Sequence, residues 1–385
     1  MKLSALTVSA ATLGFGALAA ASSNKYINYT TVKGYFEQDI ETTDPSTYDY
    51  TSHNFGLIDR SYDSDKPGSK NLTQWQRFHA ELQALNGNSP KHVSYKLFFM
   101  GRHGEGYHNA AESYFGTPAW NCYYALLTGN GTHTWFDADL TTEGINQATI
   151  AHQYWLSQYK TQGIYFPDAY YSSPMTRALK TANITFGNLP LAAAGAADFL
   201  PEVKEGFREG MSMHTCNARR SKSYIEELFP GWTFEKGFTE DDELWTGVTG
   251  EPSEAQDERS RQALDDIFSK GNKGVRRPDR VCVAPQKKDL VVSITAHSGE
   301  ITSILRVIGH QPFRLSTGAV IPVLIRAEEI EEEEPTTTIA WTQSAYCAAP
   351  PATSTASGCV CASSAAPITS GYPVGGTTIA TPTPF

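Results

Sequence analysis

An α/β fold in three layers, αβα around a mainly parallel central sheet, is predicted by three observations. Apolar, strand-like runs recur at Tyr95 to Met100, Ala169 to Tyr171, Leu290 to Ile294 and Ala319 to Ile325. Helical patterns separate them, and strands alternating with helices give a parallel sheet. The first three runs each end in a short polar segment: Met100-Gly101-Arg102-His103-Gly104-Glu105, Ser172-Ser173-Pro174-Met175-Thr176-Arg177 and Thr295-Ala296-His297-Ser298-Gly299-Glu300. In an open α/β sheet, loops leaving the carboxyl ends of the strands converge on one crevice. Two histidines and two arginines, far apart in sequence, are therefore expected to become neighbours.

The elements follow in order. Residues 1–21 read as a secretory signal: Lys2 is the positive start, Leu3 to Leu18 is apolar and uncharged, and Ala17-Leu18-Ala19 and Ala19-Ala20-Ala21 are small-x-small cleavage sites. No other run of ~20 apolar residues follows, so no stable membrane insertion is expected. A domain is expected over 22–327. Its first part, 22–94, is polar and aromatic and reads as an N-terminal extension wrapping the core. Leu140 to Tyr159 carries an apolar helical face through Ile145, Ala148, Ala151 and Trp155. Pro174 to Ile184 reads as a helix with proline near its start. Ser253 to Lys270 is a charged amphipathic helix with Ala263, Leu264, Ile267 and Phe268 on one face, and Glu300 to Ile308 is a short helix. Glu328 to Glu334 is an acidic run that reads as a solvated boundary. The Thr-, Ser-, Pro- and Gly-rich remainder to Phe385 cannot bury a core and reads as a disordered, O-glycosylated tail. Its last residues, Thr-Pro-Thr-Pro-Phe, lack the apolar stretch of a glycolipid-anchor signal.

Composition narrows the partners. The 385 residues are 40% hydrophobic and 11% aromatic, enough for a sizeable core. The formal net charge of −10 and the absence of a basic stripe argue against nucleic acid and anionic membranes. Sequons at Asn28, Asn71, Asn130 and Asn183 fit secretion, with Asn183 disfavoured by its helical context. The six cysteines are even in number and are expected to form disulfides, with 15 pairings open. Cys359-Val360-Cys361 lacks the company of a metal site. It reads as two tail cysteines pairing elsewhere, one of them with Cys347.

Arg102-His103-Gly104, with Asn109 after four intervening residues, resembles the histidine phosphatase superfamily, which includes phosphoglycerate mutases. Ser173-Pro174-Met175-Thr176-Arg177-Ala178 and His297-Ser298-Gly299 match the family's second and third motifs in order and spacing. Three agreeing motifs are specific where a lone Arg-His-Gly would be weak. Val32 to Gln38, Asn54 to Ile58, Trp75 and Gly116-Thr117-Pro118-Ala119-Trp120 look like the fungal phosphomutase-like members, which makes the extension part of the family fold.

The resemblance implies a chemistry. His103, neutral, attacks phosphorus and becomes a phosphohistidine, its other ring nitrogen held by a hydrogen bond. Arg102 and Arg177 grip the non-bridging oxygens, His297 adds a donor, and Asn109 completes the phosphate pocket. No metal or cofactor is implied. One branch of the family takes the leaving-group proton from an Asp after the second histidine. Ser298 stands there in this chain, and Phe207-Arg208-Glu209-Gly210 resembles the element carrying the acid in the mutase-like branch. Glu209 is thus the candidate acid, with Glu202 and Glu205 as rivals. Arg219 and Arg220, in Cys216-Asn217-Ala218-Arg219-Arg220-Ser221, are candidates either for further substrate contacts or for pairing with acidic neighbours.

The expected activity is a secreted phosphomonoesterase acting on small phosphate esters, with cell-wall association through the tail. A phosphomutase, which must shield its phosphohistidine from water, and a silent wall or interaction protein on the same fold are the alternatives. The four central residues His103, Arg102, Arg177 and His297 are all present.

Overall fold

The computed structural model describes residues 26–270, 289–332, 345–355, 358–362 and 367–368. The signal-like segment 1–21, Cys282 and most of the tail lie outside them. In chain order the main elements are β1 (Tyr26–Thr31), α1 (Gln74–Asn88), β2 (Val93–Arg102), α2 (Tyr107–Phe115), α3 (Thr117–Cys122), α4 (Thr142–Gln162), β3 (Ala169–Ser172), α5 (Thr176–Phe186), β4 (Glu202–Val203), α6 (Lys222–Leu228), β5 (Thr233–Phe234), α7 (Ser253–Lys270), β6 (Val291–Ala296), α8 (Ser298–Val307) and β7 (Val320–Ile330).

One seven-stranded sheet runs in the order β1-β7-β2-β6-β3-β4-β5. The pairs from β2 through β6, β3 and β4 to β5 are parallel; β7 is antiparallel to both β2 and β1. Strand alternation sends side chains to two faces. Phe98, Met100, Val292, Ile294, Ile321 and Val323 meet Leu264, Ile267 and Phe268 of α7 and Ile301, Ile304 and Leu305 of α8. Leu97, Phe99, Val291 and Leu324 meet Trp75, Phe78 and Leu82 of α1, Trp155 of α4 and Phe186 of α5. The result is the expected αβα sandwich.

The extension belongs to this sandwich. β1 extends the sheet beside β7. Phe36 and Phe55, both fully buried, pack edge-on against Phe78 and Phe99. Each such side chain contributes roughly 1.5–3 kcal/mol on burial.

Element ends differ from the sequence reading for physical reasons. α4 starts after Thr141, whose hydroxyl accepts from Gly144 N at 3.1 Å, and stops at Gly163, which takes φ 60°. Pro174 precedes α5 rather than opening it. The helix start is held from outside by Asp137, which accepts from Thr176 N at 2.8 Å and Thr176 Oγ1 at 2.7 Å. β7 continues through Glu328 and Glu329 to Ile330, because β1 pairs with it to the end, β2 pairs with it as far as Glu328, and Glu329 N donates to His92 O at 2.9 Å. The acidic run is thus partly strand rather than a boundary. Within the tail, Tyr346 and Cys347 are buried, Tyr346 against Leu126 and Met213, and Cys347 is bonded to Cys361. Cys122 is also disulfide-bonded. Cys216, against the even-count expectation, is a free buried thiol. No described helix is long and apolar enough to cross a membrane.

Candidate active site

Register brings the three motifs together. In the parallel trio β2-β6-β3, Arg102 lies opposite Ala296 and Ser172 opposite Thr295. The ladder continues one step beyond the strands: His103 N donates to Ala296 O at 2.9 Å and Ser173 N to Thr295 O at 3.0 Å. His103, His297 and Ser173 therefore leave neighbouring strands at the same level. The rings of His103 and His297 sit 5.0 Å apart, edge to face.

The loop after β2 is pressed onto α4. A Cβ at Gly104 would lie 2.3 Å from Gly144 O, so glycine is required there. Gly104 N donates to Thr181 Oγ1 at 3.0 Å, tying the loop to α5 as well. His103 is buried, and its Nδ1 bonds to Gly104 O at 2.7 Å. That contact fixes Nδ1 as the protonated nitrogen and leaves Nε2 as the nucleophilic one. Burial, with Arg177 and Arg102 nearby, holds the imidazole well below its usual 6.5, so it is neutral at physiological pH.

The two arginines carry the electrostatic signature of an anion site. Arg177 is buried, gives one N–H to Cys216 O at 3.0 Å, and leaves its Nε without a partner. Arg102 gives one N–H to Leu315 O at 2.8 Å, and its Nε is likewise sealed and unpartnered. Neither forms an ion pair with a carboxylate among the described residues. An uncompensated buried charge is costly. Burial correspondingly pulls both guanidiniums below their usual range.

Both line a cavity of about 580 Å³, together with His103, His108, Asn109, Glu209 and Arg314. Asn109 is oriented by Gly106 N, which donates to its Oδ1 at 3.0 Å. Glu209 accepts from Gly299 N at 3.2 Å, and a Cβ at Gly299 would lie 2.1 Å from the Glu209 carboxylate. The third motif's glycine therefore makes room for the carboxylate. Glu202 and Glu205 do not reach the cavity. Glu202 pairs with Lys204 and Lys270, and Glu205 with Arg208 and Arg219.

His297 is fully buried and does not line the cavity; it lies behind His103. Its Nε2 meets Ser173 Oγ at 2.8 Å and its Nδ1 is sealed without a partner. The structure therefore does not place His297 as the phosphate donor the sequence reading expects: the ring is held by Ser173 and packs behind His103. Ser173 stands within the second motif, but no local signal marks it for this orienting contact.

Of the two roles open to Arg219 and Arg220, the structure favours pairing with acidic neighbours over substrate contact. Arg219 is buried; its Nε bonds Glu205 at 2.6 Å, and its other nitrogens bond the carbonyls of Arg220, Thr239, Glu240 and Asp241. Arg220 lies 3.7 Å from the buried carboxylate of Asp137 and against the Tyr224 ring. Neither lines the cavity.

Behind Glu209 sits a second acidic group. Glu300 is fully buried, accepts from Ser260 Oγ at 2.7 Å and Gln256 Nε2 at 3.1 Å, and lies 3.2 Å from Arg259. Burial pushes its carboxyl up to about 7, against the pull of Arg259. The folded pKa thus exceeds the ordinary 4.5. The stability it contributes is fully present below about pH 4.5 and is lost as pH rises through about 7. Arg259 keeps Glu251 and two backbone carbonyls as partners without Glu300. Glu300→Gln should therefore gain stability relative to wild type between pH 5 and pH 8, by on the order of 3 kcal/mol. Urea titrations of both proteins at the two pH values measure this; parallel profiles would refute it.

A family model described as "Histidine phosphatase superfamily (branch 1)" matches residues 125–314, a span that holds the second and third motifs and begins after Arg102-His103-Gly104. A "Probable phosphoglycerate mutase" of Arthroderma benhamiae is 44% identical over 325 residues, 84% of this chain and 91% of its own. "Phosphomutase-like protein 3" of Candida albicans is 36% identical over 269 residues, 68% of this chain and 78% of its own. Among solved structures, a phosphoglycerate mutase from Bacillus anthracis aligns with a TM-score of 0.35 at 14% identity, covering 63% of this chain and 95% of its own.

Proposed function

The chain belongs to the histidine phosphatase superfamily, and from that premise we propose that it is a phosphomonoesterase working through a phosphohistidine at His103. The family accounts for phosphatase or mutase activity. The observation that carries the proposal is the buried guanidinium of Arg177 and the half-buried one of Arg102, neither with a carboxylate partner among the described residues, beside a neutral histidine. A phosphate dianion would neutralise them and accept their free N–H groups.

The geometry supports the following proposed steps. His103 Nε2 attacks phosphorus and the bond from phosphorus to the ester oxygen breaks. Arg102, Arg177 and Asn109 hold the non-bridging oxygens, and His297 backs the nucleophile from outside the cavity. Glu209 gives its proton to the leaving oxygen. Water then attacks the phosphohistidine and returns a proton to Glu209, releasing phosphate and restoring His103. All atoms and charges balance without a cofactor.

The protein is further proposed to act outside the cell on small phosphate esters. The signal-like N-terminus, the exposed sequons at Asn71 and Asn130 and the Cys347–Cys361 disulfide support that location. Scavenging phosphate is useful there. The names of the two curated relatives favour a second reading, transfer of the phosphoryl group back to a substrate hydroxyl.

The test is a panel of phosphomonoesters incubated with the protein from pH 4 to 8, with free phosphate and transferred phosphate counted separately. Free phosphate is the expected product. Isomerised ester with little free phosphate would establish a mutase, and neither product from folded protein would sink both readings for that panel.

A further inference from the structure

His108 stands inside the first motif, and the steps above leave it without a task. It is the second residue of α2, buried, and it lines the cavity with its ring centre 5.5 Å from that of His103. Its Nδ1 is sealed and makes no hydrogen bond. Its Nε2 makes none with the protein either, but is not among the sealed atoms. A neutral imidazole holds one proton. A buried N–H without an acceptor is rarer and costlier than an under-used acceptor. The favoured tautomer keeps Nδ1 bare and places the proton on Nε2, on the cavity side.

Neutrality is secured by the surroundings. Burial, with Arg177, His103 and Arg102 close by, disfavours the imidazolium form. The ring therefore presents one fixed donor to the cavity. With the ring centres 5.5 Å apart and both rings on the cavity wall, a phosphoryl group on His103 would stand on the side of that donor. No protein acceptor among the described residues competes for it.

We propose that His108 is a further catalytic residue: its Nε2–H donates to a non-bridging phosphoryl oxygen as the group passes to and from His103. This rests on the phosphohistidine reading above and adds to it. Arg102 and Arg177 supply charge, whereas His108 supplies a directed neutral donor that costs no further charge burial.

The test compares wild type, His108→Leu and His108→Gln. Glutamine places an amide N–H close to where imidazole Nε2 stands; leucine has none. Two quantities are read: turnover of p-nitrophenyl phosphate, and affinity for orthovanadate, which imitates the five-coordinate phosphorus. His108→Leu should lose roughly 10- to 100-fold in kcat with little change in KM, and a comparable factor in orthovanadate affinity. His108→Gln should recover most of both. If the leucine variant fails to fold, His108→Met takes its place. Unchanged kcat and orthovanadate affinity in the folded leucine or methionine variant would overturn the proposal. So would a folded glutamine variant as impaired as leucine, since that would mark a need for ring shape rather than a donor. Wild type that neither turns over nor binds orthovanadate would instead sink the phosphohistidine reading itself.

Discussion

His103→Ala is expected to lower turnover of every phosphomonoester by more than roughly 10³-fold and to abolish acid-labile phosphate on the protein. The size of the loss follows from the position of the ring. His103 Nδ1 is committed to Gly104 O, and Nε2 is the nitrogen left to attack. His297 lies behind it and His108 beside it, but His297 does not line the cavity, and His108 is read as a donor on its cavity side. Neither can take over as nucleophile. Because removing a buried ring leaves a cavity, His103→Asn is the companion variant: its amide can still donate to Gly104 O while offering no nucleophile. Both variants should keep affinity for inorganic phosphate, since Arg102 and Arg177 remain. Rapid quenching with a radiolabelled ester reads the intermediate directly. Either variant retaining a tenth of wild-type turnover, or labelled phosphate on another residue, would remove His103 from the central role.

How much of this site could be read in the sequence depends on where each contact comes from. His103 and His297 were legible because each stands just past an apolar run, as does Ser173 at the head of the segment that leads to Arg177 on α5. Parallel register then brings such positions together without further information. The layered fold was legible for the same reason: Ser253–Lys270 shows its apolar face in its spacing, and α7 has those bounds. Contacts made across the chain were not legible. Asp137 holds the start of α5 from 39 positions away, and nothing local marks it. Arg219 looks like a surface cation in an acidic protein; only the fold wraps six acceptor atoms around it. The choice among Glu202, Glu205 and Glu209 is likewise tertiary, since Lys204 and Arg219 engage the first two. The extension of β7 into the acidic run depends on partners on both edges, which composition cannot show. His108 falls between these cases: its place in the motif was visible, but its sealed Nδ1 needed the structure.

Glu209→Gln is expected to separate two kinds of substrate. For alkyl phosphates the leaving alkoxide needs a proton, and loss of the acid should cost about 10²- to 10⁴-fold in kcat. p-Nitrophenolate leaves unprotonated, so phosphorylation of His103 by its ester should proceed at close to the wild-type rate. The second half of the cycle still suffers, because Glu209 also receives the proton of the attacking water. The variant should therefore release one equivalent of p-nitrophenol in a burst and then turn over slowly, with phosphohistidine accumulating. Glutamine keeps an oxygen for Gly299 N, so the wall that Glu209 forms against the third motif is preserved. A structural role predicts something different: equal losses for alkyl and aryl esters and no burst. That outcome would return the search for the acid to other carboxylates at the cavity, of which Glu112 is the one on the lining. A burst confined to the aryl ester would place both proton transfers on Glu209, and its amplitude would count the active sites.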